Sequence, residues 1–270
     1  MHCAVEILSV GNELLLGNTV NTNAAWIAAQ ATSVGAEVTR ITTIGDNLSE
    51  ISGAVKESLR RSPNFVIITG GIGPTFDDMT LKGVARALGR GIRLDRGAVE
   101  LIRIHYARRF KGRRIKLTGP RLKMARIPEK SLPLRNPVGT APGVLLAAGR
   151  TQIFCLPGVP SEAKAIFQES VLTKIRAEAS GRSYLESWLK ISGIMESSLA
   201  PIIDRVMSHK PGVYIKSHPR GIENDRPQIE LHFSIFAPSR ARGTRTLHAA
   251  VNEMKKELKN RGVKVVLRSS

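Results

Sequence analysis

The sequence has only two cysteines, Cys3 and Cys155, so a disulfide framework is excluded by count. Each sits beside an apolar, strand-like stretch and reads as a small buried hydrophobe. No apolar run approaches the ~18 residues that a membrane span requires. The opening Met1-His2-Cys3-Ala4-Val5-Glu6 lacks a basic stretch followed by an apolar one and enters a strand pattern at once, so no signal peptide is read and a cytoplasmic location is expected. The six histidines show no metal-ligand spacing with each other or with the cysteines, which argues against a structural zinc site. Internal repeats and low-complexity segments are also missing. Acidic residues are scarce, 22 Asp and Glu against 41 Lys and Arg, for a net charge of +19. The excess is global: residues 181–270 carry 16 basic and 8 acidic side chains, the remainder 25 and 14. Such a field favours anionic ligands or non-specific nucleic-acid contact, while a plain solvated surface explains it equally well.

What is present is enough hydrophobic residue, 42%, for a sizeable core, and enough chain for one large and one small domain. Short apolar runs at residues 5–10, 36–44 and 65–68 read as buried strands. Helical patterns lie between them. Asn21 or Asn23 is placed to cap a helix that stops at Gly35, and Asn47-x-x-Glu50 resembles a capping box before Ile51, Val55 and Leu59. Asp77 or Asp78 is expected to open a helix carrying Leu81, Val84, Ala85 and Leu88. This alternation predicts a parallel sheet with helices on both faces. Residues 111–142, rich in Gly, Pro and basic side chains, read as loop; ten basic residues and no acidic one fall between Arg103 and Arg126. Residues 143–156 read as two strands turning at Gly149-Arg150, followed after Pro157-Gly158-Val159-Pro160 by a helix over residues 161–177. From Tyr184 the order becomes βαββαβ, the split βαβ unit of small α/β sandwiches. The expected domains are therefore 1–180 and 181–270.

The strongest chemical signal is the strand-turn-helix of residues 65–88, built around Thr69-Gly70-Gly71-Ile72-Gly73-Pro74-Thr75-Phe76-Asp77-Asp78-Met79-Thr80. Gly70, Gly71 and Gly73 allow backbone amides to approach a phosphate, and the following helix adds its positive end. No Gly-Lys-Ser/Thr follows, so this is not a P-loop, and the third glycine of the dinucleotide fingerprint is missing. Two adjacent carboxylates beside a phosphate would repel it unless a cation intervenes. A divalent metal of the Mg, Mn or Co class held by Asp77, Asp78 and Asp46 resolves that conflict. Glu13 is a further candidate; an exposed loop carboxylate is its plainer reading.

Gly11-Asn12-Glu13-Leu14-Leu15-Leu16-Gly17, Gly45-Asp46-Asn47 and the turn just quoted resemble the molybdopterin-binding fold of the MoaB/Mog type. Asn136-Pro137-Val138-Gly139-Thr140-Ala141-Pro142-Gly143 and Leu156-Pro157-Gly158-Val159-Pro160-Ser161-Glu162 narrow the likeness to the N-terminal portion of the CinA family. It is colinear over residues 4–171, and Gly193-Ile194-Met195-Glu196-Ser197-Ser198-Leu199 resembles that family's middle domain. The resemblance implies a three-layer α/β/α domain that self-associates as a dimer or trimer. It implies a small nucleotide or pterin phosphate as ligand, and either a metal-dependent ADP-ribose pyrophosphatase or a non-hydrolytic binder of molybdopterin. The nicotinamide-nucleotide amidase domain of full-length CinA proteins is not expected in a chain closing at Ser270. In the broad superfamily an Arg-Asp pair follows the turn; here Asp77 takes the Arg place and Asp78 the Asp place, as in the CinA type.

The hydrolase is the leading expectation. Asp46, Asp77 and Asp78 would hold the metal and act in catalysis. The phosphate or nucleotide would be bound by Gly11, Asn12, Glu13, Asn21, Asn23, Gly70, Gly71, Gly73, Pro74, Thr75, Thr80, Asn136, Gly139, Thr140, Pro157 and Gly158. Arg121 and Lys123 would neutralise charge on the phosphoryl oxygens. A pterin-binding protein is the alternative. An RNA-contacting protein is a third reading, but residues 228–237 lack the Gly-aromatic-Gly-aromatic signature, so no specific nucleic-acid partner is expected, nor a membrane.

Overall fold

A computed structural model of the chain describes residues 3–110, 116–223 and 226–267. Lys111, Arg113 and Arg114 of the basic stretch lie outside the described residues. In chain order the elements are β1 (Ala4–Val10), α1 (Asn12–Leu15), α2 (Thr22–Ser33), β2 (Glu37–Ile44), α3 (Leu48–Arg61), β3 (Phe65–Thr69), α4 (Thr80–Ala87), β4 (Ile92–Leu94), α5 (Arg96–Arg109), α6 (Gly119–Lys123), β5 (Arg126–Pro128), β6 (Ser131–Leu134), β7 (Gly143–Ala148), β8 (Thr151–Leu156), α7 (Pro160–Ile166) and α8 (Leu172–Glu178). The second unit follows with β9 (Ser183–Ser192), α9 (Glu196–His209), β10 (Val213–Glu223), β11 (Arg226–Ala237), α10 (Arg240–Lys259) and β12 (Lys264–Leu267). The chain divides into one compact unit of residues 1–32 and 36–179 and another of residues 33–35 and 180–270.

The first unit is built on a six-stranded sheet in the order β2-β1-β3-β8-β7-β6. The first four strands are parallel, β7 is antiparallel to β8, and β6 is antiparallel to β7. Strands buried on both faces must be apolar throughout, and all five residues of β3 are buried. Alternate residues then face different layers. Leu8, Val10, Val66, Ile68, Ile153 and Cys155 pack with Ile51 and Val55 of α3, Val84 of α4 and Ile102 of α5. Ile7, Ile67 and Phe154, on the opposite parity, are wholly buried, as are Ile27 of α2 and Phe167 after α7. This is the expected α/β class with a mostly parallel sheet. Both cysteines are buried and neither is in a disulfide, and burial pushes the Cys155 thiol up to about 12. No helix among the described residues is long and apolar enough to cross a membrane.

Four local expectations are corrected. Residues 116–142 are not all loop: α6, the β4–β5 ribbon and the sheet-edge strand β6 lie in or against them. Neither Asp77 nor Asp78 caps α4, which starts at Thr80 with Met79 before it and no side-chain cap. Asn47 does cap α3, through Ser49 N and Glu50 N, but Glu50 accepts from Gly45 N at 3.3 Å and does not return to Asn47. A π-helical turn at Phe167–Val171 lies between α7 and α8, where a single α-helix was expected.

The second unit is a four-stranded antiparallel sheet in the order β10-β11-β9-β12. Leu189, Ile191, Leu231 and Phe233 on one face pack with Leu199, Ile202 and Val206 of α9 and Leu247, Ala250 and Met254 of α10. The βαββαβ order is the expected one.

Glu6 on β1 is a charged residue in this apolar setting, only 2% exposed. Burial alone would raise its pKa. Hydrogen bonds from Arg61 and Ser58, with the Arg61 charge, together outweigh burial and hold it below the usual carboxylate range. Arg61 Nε and Nη2 donate at 2.7 and 2.8 Å and Ser58 Oγ at 2.7 Å. Arg61→Met should therefore cost about 2–3 kcal/mol at neutral pH, because a buried carboxylate loses its cation. The native contribution is present above the unfolded pKa and fades as pH falls through the lower folded value. Denaturant titrations should thus show the gap between native chain and variant narrowing below about pH 4.5. An equal gap at pH 3 and pH 7 would contradict this.

Candidate functional site

From β1 the chain moves to β2 on one side, while β3 lies on the other side of β1. That reversal opens a crevice beyond the carboxyl ends of the strands, the place where open α/β sheets bind ligands. A cavity of about 550 Å³ lies there. Its walls are Gly11 and Glu13 after β1, Asp46 after β2, the turn from Gly70 to Asp78 after β3, and Pro157 and Gly158 after β8. Thr140 and Ala141 close it from the loop before β7, and Tyr106 from α5.

Gly70 and Gly71 shape the turn. Both take the left-handed backbone, φ +97° and +64°. A Cβ on Gly70 would run into the Val10 carbonyl, and Gly70 N donates to Leu156 O at 3.0 Å. The turn thus threads between the ends of β1 and β8. Thr80 fastens it from below: its hydroxyl donates to Gly70 O at 2.8 Å and its amide to Gly71 O at 2.9 Å. No described residue accepts a hydrogen bond from the amides of Gly71, Ile72 or Gly73.

Beyond the glycines the turn closes on Thr75. Thr75 N donates to Asp78 Oδ2 at 2.8 Å. Its hydroxyl lies 2.5 Å from Asp77 Oδ1 and 2.7 Å from Asp78 Oδ2, so its single proton serves one of them at a time. That hydroxyl is the main reason the Asp77 carboxyl is held below its usual range. Lys123, at the end of α6, reaches into the turn. Its ammonium donates to the carbonyls of Gly73, Thr75 and Asp78, the first and last at 3.3 and 2.9 Å, and stands 4.0 Å from Asp78 Oδ2. Burial lowers its pKa, against the opposing pull of Asp78.

This corrects the cation argument. The carboxylates of the turn already have a cation, and it is covalent. Glu13, Asp46, Asp77, Asp78 and Glu162 all line the cavity, yet among the described residues no three His, Cys, Asp or Glu side chains converge on a metal-sized point. Asp46 is engaged elsewhere: its Oδ2 accepts from Asn12 N at 2.8 Å while Asn12 Oδ1 accepts from Asp46 N at 3.2 Å. Lys123 is spent on carbonyls. Arg121 lies over the Tyr106 ring at 4.4 Å and donates to Lys116 O. Neither side chain lines the main cavity.

Other expected ligand residues build the walls from behind. Asn21 caps α2 by accepting from Ala24 N at 3.1 Å. Asn23 donates to Gly158 O at 2.8 Å. Asn136 ties its loop by donating to Ala141 O and Glu162 Oε2 and accepting from Val138 N and Gly139 N. With Asn12 and Thr80, these side chains do not line the main cavity; Asn136, Gly139 and Thr140 line a neighbouring one with His105, Arg108 and Arg135. Sequence reasoning missed Tyr106, Met124 and Glu162 as lining residues. Only Glu162 carried a signal, the last position of a quoted motif.

Residues 6–177 match the sequence family described as "Probable molybdopterin binding domain". The chain belongs to this molybdopterin-binding domain family. A protein of Aeropyrum pernix is 44% identical over 230 residues, covering 85% of this chain and 84% of its own length. A Thermoplasma acidophilum protein is 40% identical over 236 residues, covering 87% and 88%. Among solved structures, CinA of Thermoplasma acidophilum, described as being of unknown function, superposes with a TM-score of 0.59 at 41% identity, over 64% of this chain and 98% of that one. The CinA resemblance drawn from the motifs is thereby borne out, and the molybdopterin-binding domain spans every loop of the cavity.

Lys123→Met should loosen the turn without unfolding the sheet. Hydrogen exchange at the Thr75 and Asp78 amides, which are bonded within the turn, should then quicken at least tenfold, with β1 and β3 amides unchanged; equal protection in both chains would show that the ammonium does not hold the turn.

Proposed function

We propose that the cavity binds a phosphorylated pterin of the molybdopterin class, in a role tied to cofactor biosynthesis and without hydrolysis. The observation that carries this reading is the pairing of two opposite chemistries on one cavity. The Gly71, Ile72 and Gly73 amides are donors with no acceptor among the described residues, suited to a phosphate. The carboxylates of Glu13, Asp46, Asp77, Asp78 and Glu162 are acceptors. The amino-pyrimidinone edge of a pterin presents adjacent N–H donors, which a carboxylate accepts in pairs as it accepts a guanidinium. An acidic rim therefore suits the heterocycle as the glycine turn suits the phosphate, and no metal has to reconcile them. Tyr106 supplies an aromatic wall. The family match over residues 6–177 supports the same ligand class.

Metal-dependent hydrolysis of a nucleotide pyrophosphate such as ADP-ribose draws on the same five carboxylates. The side chains do not fit a metal: Asp78 is bonded to Thr75 and faces Lys123, and Asp46 is clamped to Asn12.

Calorimetric titration with a phosphorylated pterin and with ADP-ribose, each with chelator and with added magnesium or manganese, separates the two. The expected result is pterin binding unchanged by chelator, weakened about tenfold or more in Asp78→Ala because the turn loses its tie to Thr75, and no AMP formed from ADP-ribose. AMP release that appears only with metal would replace this reading with the hydrolase.

A further inference from the structure

The second unit carries a feature that the cavity does not use. Aromatic residues are scarce in this chain, 2 Trp, 3 Tyr and 7 Phe. Four of those twelve stand on one face of the β10-β11-β9-β12 sheet, opposite the face that packs on α9 and α10. Directly paired residues of antiparallel strands share a face. Phe236 pairs with Tyr184, His232 with Trp188 and Lys216, Glu230 with Lys190 and His218, and Ser234 with Tyr214. All of these therefore lie on the face away from the helices. The two Phe of β11 thus have different roles: Phe233 is fully buried against the helices, while Phe236 is half-buried beside Tyr184, ring centroids 5.0 Å apart.

The rings form two groups, Tyr184 with Phe236 and Trp188 with His232 and His218. Trp188 stacks on His232 at 4.2 Å and 18°, and His218 lies 5.6 Å from Trp188. Tyr214 is 54% exposed on the edge strand β10. Cations are interleaved among them. Arg182 lies over the Phe236 ring at 5.1 Å, Lys216 is exposed, and Lys190 and Arg220 stand against Glu230 at 3.5 and 2.7 Å. Residues 181–270 as a whole hold 16 Lys and Arg against 8 Asp and Glu.

We propose that this sheet face binds single-stranded nucleic acid, with bases stacked on Tyr214, Trp188 and the Tyr184–Phe236 pair and the phosphates drawn by the interleaved Lys and Arg. Charge complementarity selects this occupant: an apolar protein partner has no use for cations between the rings, whereas a polyanion carrying flat bases uses both. A duplex offers the charge but keeps its bases stacked inside. Strand β11 lacks the Gly-aromatic-Gly-aromatic pattern of base-reading sheets, so the binding is tolerant of sequence. Stacking contributes about 1–3 kcal/mol per base, roughly 5- to 150-fold in affinity, and persists at salt concentrations that screen the charge.

The test uses the full chain in a Trp26→Phe background, so that Trp188 is the sole indole. Oligouridylate, oligothymidylate, a duplex of matched length and inorganic polyphosphate are titrated at roughly 0.15 M salt. The expected result is saturable quenching of Trp188 by the single strands, with duplex and polyphosphate at least tenfold weaker. The two single strands distinguish RNA from DNA as the favoured source. In the native background, Tyr214→Ala, at an exposed edge position that does not threaten the fold, should weaken oligouridylate at least fivefold by anisotropy. Equal binding of all four probes with no effect of Tyr214→Ala would reduce the face to a basic surface and overturn the proposal, as would single-strand binding that leaves Trp188 emission unchanged, or no binding at all.

Discussion

The first unit depends on one tight passage. Between the ends of β1 and β8 there is room for a backbone and not for a Cβ, and Gly70 fills it at φ +97°. Its amide is held by Leu156 O and its carbonyl by the buried Thr80 hydroxyl. These contacts fix where the next three amides stand and where α4 begins. They also bring Gly158 close, since a Cβ there would meet Gly70 Cα at 3.4 Å. The cavity exists because two strand ends and a glycine turn meet where the sheet order reverses.

Charge is the second constraint. An acidic rim on a phosphate site is a contradiction unless something separates the two. Lys123 does so from the side of the turn remote from the cavity walls: it binds three carbonyls and faces Asp78, placing a fixed positive charge under the carboxylates. The three carbonyl oxygens that it binds are engaged by its own N–H groups. In the proposed reading the heterocycle end of a pterin would meet the acceptors and its phosphate end the amides.

The fold class was legible because buried parallel strands are apolar runs ended by glycine, and residues 5–10 and 65–68 are such runs. The small unit was legible for a different reason: its antiparallel strands alternate buried and more exposed residues, as at Val213, Ile215, Phe233 and Ile235. The short strands β4, β5 and β6 were not, since Pro128 and Pro133 sit inside β5 and β6 and strands of three or four residues leave no period to read. In the site, glycine and carboxylate motifs pointed to the right loops. They did not separate residues that line the cavity from those that hold the lining up. Asn21, Asn23, Thr80 and Asn136 have side chains equally apt for a ligand or for a backbone carbonyl or amide, and the fold spends them on backbone and neighbouring side chains. Lys123 and Tyr106 come from helices distant in sequence, and only the tertiary fold brings them to the turn.

The most direct measurement of this account is a crystal structure of the chain grown with a phosphorylated pterin and manganese, with anomalous scattering recorded to locate the metal. The account predicts the phosphate on the amides of Gly71, Ile72 and Gly73, the heterocycle edge on a carboxylate of the rim, the Lys123 ammonium still in the turn, and no anomalous peak in the cavity. A manganese peak bridging Asp77 or Asp78 with the Lys123 ammonium displaced would contradict it.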